Sequence, residues 1–204
     1  IGQTIENTYD EFGNFIEKKT KEQTTKLEYD KYDRVIKRDF SNGDITEIKY
    51  DNYGRITEML SGGVKIEIGY DALGRQIKRI VTYSDGTQSA TIISYNKIGL
   101  REKIITAIQR SDKTEDERSI TEYKYDALGR AIEVTVNNTT KITYIYDKKS
   151  QMLQSKVFST GSKSVYGYND SFRLKSIKSY NSTGGMTGAV EYEWDDDGTL
   201  LGKK

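Results

Sequence analysis

The feature that most constrains this chain is a short segment that recurs along it. Residues 70–75 and 125–130 are identical, Tyr-Asp-Ala-Leu-Gly-Arg, and seven degenerate copies begin at residues 9, 29, 50, 95, 146, 168 and 194. Most steps between copies are 20 to 22 residues, and the steps of 25, 30 and 26 residues leave room for longer loops. A period of this length is typical of a repeat protein built from one small supersecondary unit. We therefore predict a single array of about nine repeats over residues 1–204.

The local chemistry of the repeated segment is that of a β-turn between two strands. Asp71 can accept backbone N–H bonds from the two residues after it, as in an Asx-turn. Gly74 can adopt the positive φ that a type I turn with a G1 bulge requires. Before the turn, Ile66, Ile68 and Tyr70 alternate with polar residues, which indicates a half-buried strand. Each repeat is therefore predicted to contain a β-hairpin.

A second turn, rich in glycine and asparagine, separates successive hairpins, for example at 41–44, 61–63, 84–87 and 137–139. Nine repeats then give about 18 antiparallel strands, and a flat sheet of that size would be on the order of 80 Å long. Open twisted sheets of more than about 10 strands curl. The predicted fold class is all-β, with tandem antiparallel hairpins in a long curled or spiral sheet. The polar run at 110–119 is predicted to be a solvated loop.

The composition supports an ordered but thinly packed protein. Only 34% of the 204 residues are hydrophobic, yet 16 are tyrosine, whereas disordered chains are poor in aromatic residues. The net charge of +1 gives no electrostatic basis for binding nucleic acid. No apolar run is long enough for a transmembrane helix, so we expect no membrane insertion. Because the chain begins Ile-Gly-Gln without a methionine or signal peptide, we expect a fragment or a processed chain.

Several kinds of catalytic and metal chemistry have no residues to support them. The chain contains no histidine and no cysteine, which excludes His-based nucleophilic triads and thiolate zinc sites, and no cofactor is expected. The acidic run Asp195–Asp197 before Gly198 could suggest calcium, but it aligns with the repeated turn, and we interpret it as a turn. Gly62-Gly63 and Gly184-Gly185 lack the surroundings of a phosphate loop. We therefore expect that the chain is not an enzyme. The alternative is a glycosidase that uses two carboxylates.

The most prominent candidate surface is aromatic. In the first half of the chain, the position two residues before the repeat anchors at 29, 50, 70 and 95 is aliphatic (Leu27, Ile48, Ile68, Ile93), whereas in the second half it is tyrosine. Alternate residues of a strand share one face, so stacked hairpins would place two columns of rings on that face. One interpretation is a structural cross-strand ladder with arginines stacked on it; the other is a ligand platform. The candidate ligand surface comprises Tyr123, Tyr125, Tyr144, Tyr146, Tyr166, Tyr168, Tyr192 and Trp194.

The pattern Tyr-x-Tyr-Asp-x-x-Gly-Arg, present at 123–130, resembles the RHS/YD repeat, and the resemblance covers residues 9 to about 201. Bacterial Rhs toxins, C components of insecticidal toxin complexes, wall-associated toxins and animal teneurins carry such repeats. The resemblance implies a β-shell that often encloses a C-terminal toxin domain released by self-cleavage. This chain departs from that pattern, because it has few repeats and no proline, which the self-cleavage motifs contain.

These observations favour a non-enzymatic structural or scaffold module of an RHS/YD-repeat protein. The alternative is a carbohydrate- or cell-wall-binding module that uses the aromatic surface. Expected partners are the shell or effector domain of the same protein, or a glycan or cell surface, and not nucleic acid. The resemblance alone implies an extracellular or cell-surface location.

Overall fold

The structure, a computed structural model, describes residues 5–111 and 116–204. Within these residues it contains 18 β-strands and no helix, hence no helix long and apolar enough to cross a membrane. The strands are β1 Glu6–Tyr9, β2 Phe15–Lys19, β3 Thr24–Tyr29, β4 Val35–Phe40, β5 Ile45–Tyr50, β6 Ile56–Ser61, β7 Val64–Tyr70, β8 Gln76–Thr82, β9 Gln88–Tyr95, β10 Arg101–Gln109, β11 Asp116–Tyr125, β12 Ala131–Val136, β13 Thr140–Tyr146, β14 Leu153–Phe158, β15 Lys163–Tyr168, β16 Leu174–Tyr180, β17 Met186–Trp194 and β18 Leu200–Lys203.

The strands pair in the order in which they occur along the chain. The chain divides into two compact units, the described parts of Ile1–Ile93 with Ile105–Arg118, and Ser94–Ile104 with Ser119–Lys204. In the first unit, each strand from β1 to β8 pairs antiparallel with the strand that follows it. In the second unit, each strand from β11 to β17 does the same. The predicted fold class of tandem antiparallel hairpins is confirmed, while the prediction of one uninterrupted array stays a prediction.

All nine anchors predicted from the repeat have the same structural place: each is the last residue of an odd-numbered strand. The turn after Tyr70 shows the shared geometry. The N–H of Asp71 donates to the carbonyl of Arg75 (2.9 Å), the N–H of Gly74 donates to the carbonyl of Asp71 (3.0 Å), and φ of Gly74 is +80°. The register shifts by one residue between Gly69 and Tyr70, as a G1 bulge requires. The positive φ and the bulge are confirmed.

The side-chain bonds of this turn differ from the prediction in one respect. The Asp71 carboxylate accepts the N–H groups of Leu73 (3.0 Å) and Arg75 (2.9 Å) through a single oxygen, Oδ1. Leu73 is thus confirmed as one of the two predicted donors, whereas the other donor is Arg75 and not Ala72. The N–H of Gly74, between these two donors, is bound to the main-chain carbonyl of Asp71 instead.

The intervening turns at the opposite ends of the strands use asparagine and glycine, as predicted. Gly62 and Gly63 have φ of +56° and +75°, and Asn137 and Asn138 have φ of +51° and +55°. Two successive positive φ values are those of a type I′ turn, which suits a two-residue hairpin because its twist matches that of the strands. Asparagine tolerates this conformation better than other residues with a Cβ atom.

Burial is thin, as the low hydrophobic content predicts. Among the described residues, only Ile48, Val81 and Ile93 are hydrophobic side chains with less than a tenth of their surface exposed. Ile48 and Ile93 both lie two residues before a repeat anchor, so this position faces the covered side of the sheet in the first unit. With so little buried surface, contacts between neighbouring hairpins must contribute a large share of the stability.

Part of the loop predicted at 110–119 lies in a strand. Strand β10 ends at Gln109 and β11 begins at Asp116, so residues 116–119 belong to a strand. Residues 112–115 lie outside the described residues. The side chains of a paired strand alternate between two faces, so a strand with one exposed face accommodates many polar residues. For this reason the polarity of the sequence alone did not locate the loop.

Candidate binding surface

The anchor tyrosines use their hydroxyl groups inside the fold. The hydroxyl of Tyr146 donates to the main-chain carbonyl of Ala131 (2.9 Å), the residue directly after the preceding motif arginine. Six other anchors bond to the equivalent carbonyl one hairpin earlier, at 2.6 to 3.0 Å: Tyr29 to Phe15, Tyr50 to Val35, Tyr70 to Ile56, Tyr125 to Arg101, Tyr168 to Leu153, and the Trp194 indole N–H to Leu174. The polar tip of the ring therefore joins one repeat to the repeat before it.

The motif arginines join each repeat to the one that follows. Arg130 donates from Nε (2.8 Å) and from Nη2 (2.6 Å) to Oδ2 of Asp126 in its own turn. Its guanidinium lies 4.2 Å from the ring centroid of the next anchor, Tyr146, and its Nη1 donates to the carbonyl of Gln151 (2.9 Å). Arg34 and Arg55 repeat the carboxylate pair and stack on the following anchors at 4.6 and 4.5 Å. The predicted arginine stacking is confirmed at these three repeats.

The eight aromatic residues proposed as a ligand surface are all half-buried. An even-numbered strand lies between successive pairs of rings: Val134 pairs with Tyr123, and Lys156 pairs with Tyr144. Strands two apart are separated by about 9.6 Å, so rings of neighbouring repeats are held apart. Only Tyr123 and Tyr125, on one strand, stack on each other, with centroids 6.4 Å apart.

Lysine fills one of the gaps between these rings. The ammonium of Lys156 lies 5.4 Å from the Tyr144 ring centroid and 5.6 Å from that of Tyr166. The cation thus bridges two repeats across the strand between them. This geometry favours the structural ladder over an open platform, and the ligand-binding role of the eight residues stays a prediction.

The turn after Tyr146 departs from the others. Its register pairs Tyr146 with Leu153, seven residues on, whereas Tyr125 pairs with Ala131, six residues on. The turn is therefore one residue longer, and the arginine position is taken by Met152, whose carbonyl accepts the N–H of Asp147 (2.8 Å). The following turn places Phe172 (φ +59°) where other repeats have glycine. A depression of about 320 Å³ lies here, lined by Asp147, Ser150, Met152, Leu153, Gln154, Tyr166, Tyr168, Asn169 and Phe172.

Comparison with solved structures yields matches along almost the whole chain. The fold resembles part of TcdB2-TccC3-TEV. That crystal structure matches with a TM-score of 0.50 and 14% sequence identity, over 98% of this chain and 12% of that chain. TcdB2-TccC3 without its hypervariable C-terminal region matches with a TM-score of 0.47 at 12% identity, over 99% of this chain and 14% of that chain. The Tc holotoxin pore of Photorhabdus luminescens matches at 0.41 and 13%, with the same coverage.

The match to TcdB2-TccC3-TEV shows the fold, and the chain spans only about an eighth of the length of that structure. No protein-family model matches the sequence, and no curated protein matches it.

The carboxyl groups of the repeats are held in their charged form. The Arg130 guanidinium and its N–H hold the pKa of Asp126 below the ordinary 3.8, and the Arg34 guanidinium does the same for Asp30. Hydrogen bonds from Lys124 and Lys141 lower the pKa of Glu133. Within the described part of the chain, no group of three or more acidic side chains could hold a metal ion. In the run 195–197, Oδ1 of Asp195 accepts the N–H of Thr199 (2.7 Å), which confirms the predicted turn.

These lowered pKa values predict a sensitivity to acid. A carboxyl whose folded pKa is depressed contributes stability above its unfolded pKa, and this contribution is lost as the pH falls through the folded value. We expect the melting temperature to stay constant from pH 7 to about 5 and to fall below about pH 4. Thermal unfolding followed by circular dichroism would measure this. The Asp126→Asn variant should show a shallower loss, whereas a melting temperature that rises on acidification would contradict the assignment.

The depression is the feature that sequence reasoning missed. Its signal was present, because the segments 146–152 and 168–174 lack, respectively, the arginine and the glycine of the motif. These two segments were grouped with the other degenerate copies of the motif. They belong to neighbouring repeats, however, and they differ from the motif at positions that face each other.

Proposed function

We propose that this chain is a non-enzymatic scaffold segment of an RHS/YD-repeat protein, part of a β-shell that encloses a toxin or mediates surface interactions. The observation that carries the proposal is the use of the motif side chains. The aspartate binds its own turn, the arginine binds that aspartate and the next anchor, and the tyrosine binds the previous repeat. Because the polar groups of the motif bind neighbouring repeats, the motif extends a sheet and does not form an active site in each hairpin.

The similarity to TcdB2-TccC3-TEV supports the same proposal at the level of fold. It adds that a chain of hairpins like these can be one stretch of a much larger protein, since the match covers 12% of that chain. Under this proposal the partners are neighbouring shell segments or an enclosed domain of the same protein, and the location is extracellular or at the cell surface.

The titration of the carboxyl groups supports a role without catalysis. A glycosidase needs one carboxylic acid with a raised pKa that can donate a proton. Every Asp or Glu with a resolved shift in the described residues is shifted downwards: Asp10, Asp30, Asp51, Glu58, Asp71, Asp126, Glu133 and Asp147. These groups act as acceptors for arginine, lysine and backbone N–H groups.

Electron microscopy of the complete gene product would test the shell. A hollow particle with this segment in its wall is the expected result, and a solid particle with no enclosed space would contradict the proposal. Assays with glycoside, ester and peptide substrates test the absence of catalysis separately. Turnover above that of the heat-denatured chain would show that the segment is an enzyme.

Carbohydrate binding is the alternative, and the half-buried rings of Tyr166 and Tyr168 beside the depression are the observation in its favour. Aromatic faces with polar groups nearby suit a sugar ring. A glycan array probed with the whole chain would test it. Binding that Tyr166→Ala removes would favour this alternative, and signal no higher than background for every glycan would reject it.

A further inference from the structure

The seventh repeat lacks the arginine that fills the space between neighbouring turns in several other repeats. Arg34, Arg55 and Arg130 each lie between the aspartate of their own turn and the ring of the next anchor. Met152 stands at the equivalent position, because its carbonyl accepts the N–H of Asp147, as the carbonyl of Arg130 accepts that of Asp126. A thioether can make none of the charged bonds of a guanidinium.

The groups that hold a motif arginine are nevertheless present around this position. Asp147 binds Lys149 N, Ser150 N and Ser150 Oγ through Oδ1, at 2.6 to 3.1 Å. Its Oδ2, the atom that accepts two bonds from arginine in other repeats, accepts none from the residues that the structure describes. The next anchor, Tyr168, is fixed by its bond to Leu153 (3.0 Å), and no cation of the described chain stacks on its ring.

The main chain supplies a further acceptor. Arg34 and Arg173 donate from Nη1 to the carbonyl of the residue after the next anchor, Asp51 (3.4 Å) and Asp195 (3.1 Å). Asn169 is the corresponding residue after Tyr168. All three groups, Asp147, Tyr168 and Asn169, line the depression of about 320 Å³, and Phe172, 62% exposed, adds a second aromatic wall.

We propose that this depression binds the guanidinium group of an arginine side chain supplied by another polypeptide segment. The carboxylate of Asp147, the ring face of Tyr168 and the carbonyl of Asn169 take the roles that their counterparts play for the arginines of this chain. This proposal does not depend on the scaffold role, since it follows from comparing repeats within one chain.

The chemistry of the site favours arginine over lysine. A guanidinium is planar, donates to a carboxylate and a carbonyl at the same time, and stacks on an aromatic ring, whereas an ammonium offers a single point of charge. The N–H of Ser150 holds the pKa of Asp147 below its ordinary value, so the carboxylate is charged at neutral pH. The exposed Gln154 and Ser150 at the rim can bond to the backbone of a segment that carries the arginine.

The test is an NMR titration of the whole chain with two matched probes, acetyl-Gly-Arg-Gly-amide and acetyl-Gly-Lys-Gly-amide, and with free arginine. We expect the arginine peptide to shift the resonances of Tyr168, Asn169 and Phe172 with a Kd on the order of 1 mM, as suits one side chain in a shallow site. The lysine peptide should bind about tenfold more weakly. Free arginine binding as well as the peptide would mean that the guanidinium alone supplies the affinity, and tighter peptide binding would mean that its backbone contributes; either result supports the site.

The Asp147→Asn variant removes the charge and keeps the turn, because Asn96 accepts the same kind of backbone bonds, from Ile98 N and Leu100 N, in its own repeat. We expect it to weaken arginine binding at least tenfold. Asp170→Asn is the matched control, since it removes an exposed charge from the neighbouring turn outside the depression, and should leave binding unchanged. Equal binding of the two peptides, no shift at about 10 mM, or equal effects of the two variants would overturn the proposal.

A second variant tests the site without a ligand. Met152→Arg supplies the missing guanidinium from within the chain, and we expect it to raise the melting temperature by about 2–4 °C and to abolish binding of the arginine peptide. A lower melting temperature together with unchanged peptide binding would show that the depression does not match the arginine sites of the other repeats.

Discussion

Replacing Gly74 by valine is expected to lower the melting temperature by roughly 5–10 °C, corresponding to about 2–3 kcal/mol of unfolding free energy. Two physical effects add. The φ of +80° is strained for any residue with a Cβ atom, most of all for a β-branched one. An added Cβ would also lie 3.3 Å from Nη1 of Arg55, the arginine of the preceding repeat. Thermal and denaturant unfolding of the whole chain would measure the loss.

Two controls separate strain from the mere addition of a side chain. Gly188→Val places the same side chain in an extended strand, where a Cβ atom meets nothing within 4 Å, and should leave the stability nearly unchanged. Gly74→Asn keeps a residue that tolerates positive φ and should cost less than half as much as valine. A Gly74→Val variant as stable as the parent would show that the turn assignment is wrong.

The local fold could be predicted from the sequence because the same turn residues recur in successive copies of the motif. The tyrosine-aspartate anchors ended strands as predicted because aspartate, glycine and β-branched residues each encode one element of a hairpin. A polar sequence was less informative: residues 116–119 were expected in a loop and lie in β11. Pairing with a neighbouring strand outweighed the preference of a single segment, which no local pattern reveals.

The links between repeats were harder to predict. The aromatic columns were expected on one face of the sheet, and the second strand of each hairpin lies between the rings of neighbouring repeats. The coupling of an arginine in one turn to the glycine of the next was also missed. A Cβ atom added at Gly54 or Gly74 would lie 3.6 or 3.3 Å from the arginine of the preceding repeat, so glycine leaves room for the arginine at these two positions.

This coupling explains two departures from the motif. Asp33 (φ +58°) replaces glycine after a repeat in which Asn14 replaces arginine, and its Oδ1 accepts a bond from Asn14 Nδ2 (2.8 Å). Phe172 replaces glycine after the repeat with Met152 in place of arginine. At these two sites the arginine position of one repeat and the glycine position of the next both differ from the motif. The two positions considered together therefore indicate a contact between repeats that neither residue indicates alone. Two other pairs differ: Gln151 follows Arg130, in a turn that is one residue longer, and Gly129 follows Leu100.

The Tyr146 ring and hydroxyl should make separable contributions to stability. Tyr146→Phe removes the bond to the Ala131 carbonyl and should cost about 1 kcal/mol. Tyr146→Ala also removes the ring on which Arg130 stacks at 4.2 Å, and should cost about 2–3 kcal/mol, less than a fully buried aromatic because the ring is half-buried. Denaturant unfolding of the three proteins would measure both steps.

Tyr144 offers a matched control on the same face of the same strand. It is also half-buried, but its hydroxyl makes no hydrogen bond within the described chain, so Tyr144→Phe should leave the stability unchanged. A difference between the two phenylalanine variants would therefore measure the bond from one repeat to the previous one. Equal effects at both positions would mean that the anchor hydroxyl does not join the repeats. The sheet would then depend on strand pairing and arginine stacking alone, and a motif tyrosine would have its polar tip free for a ligand.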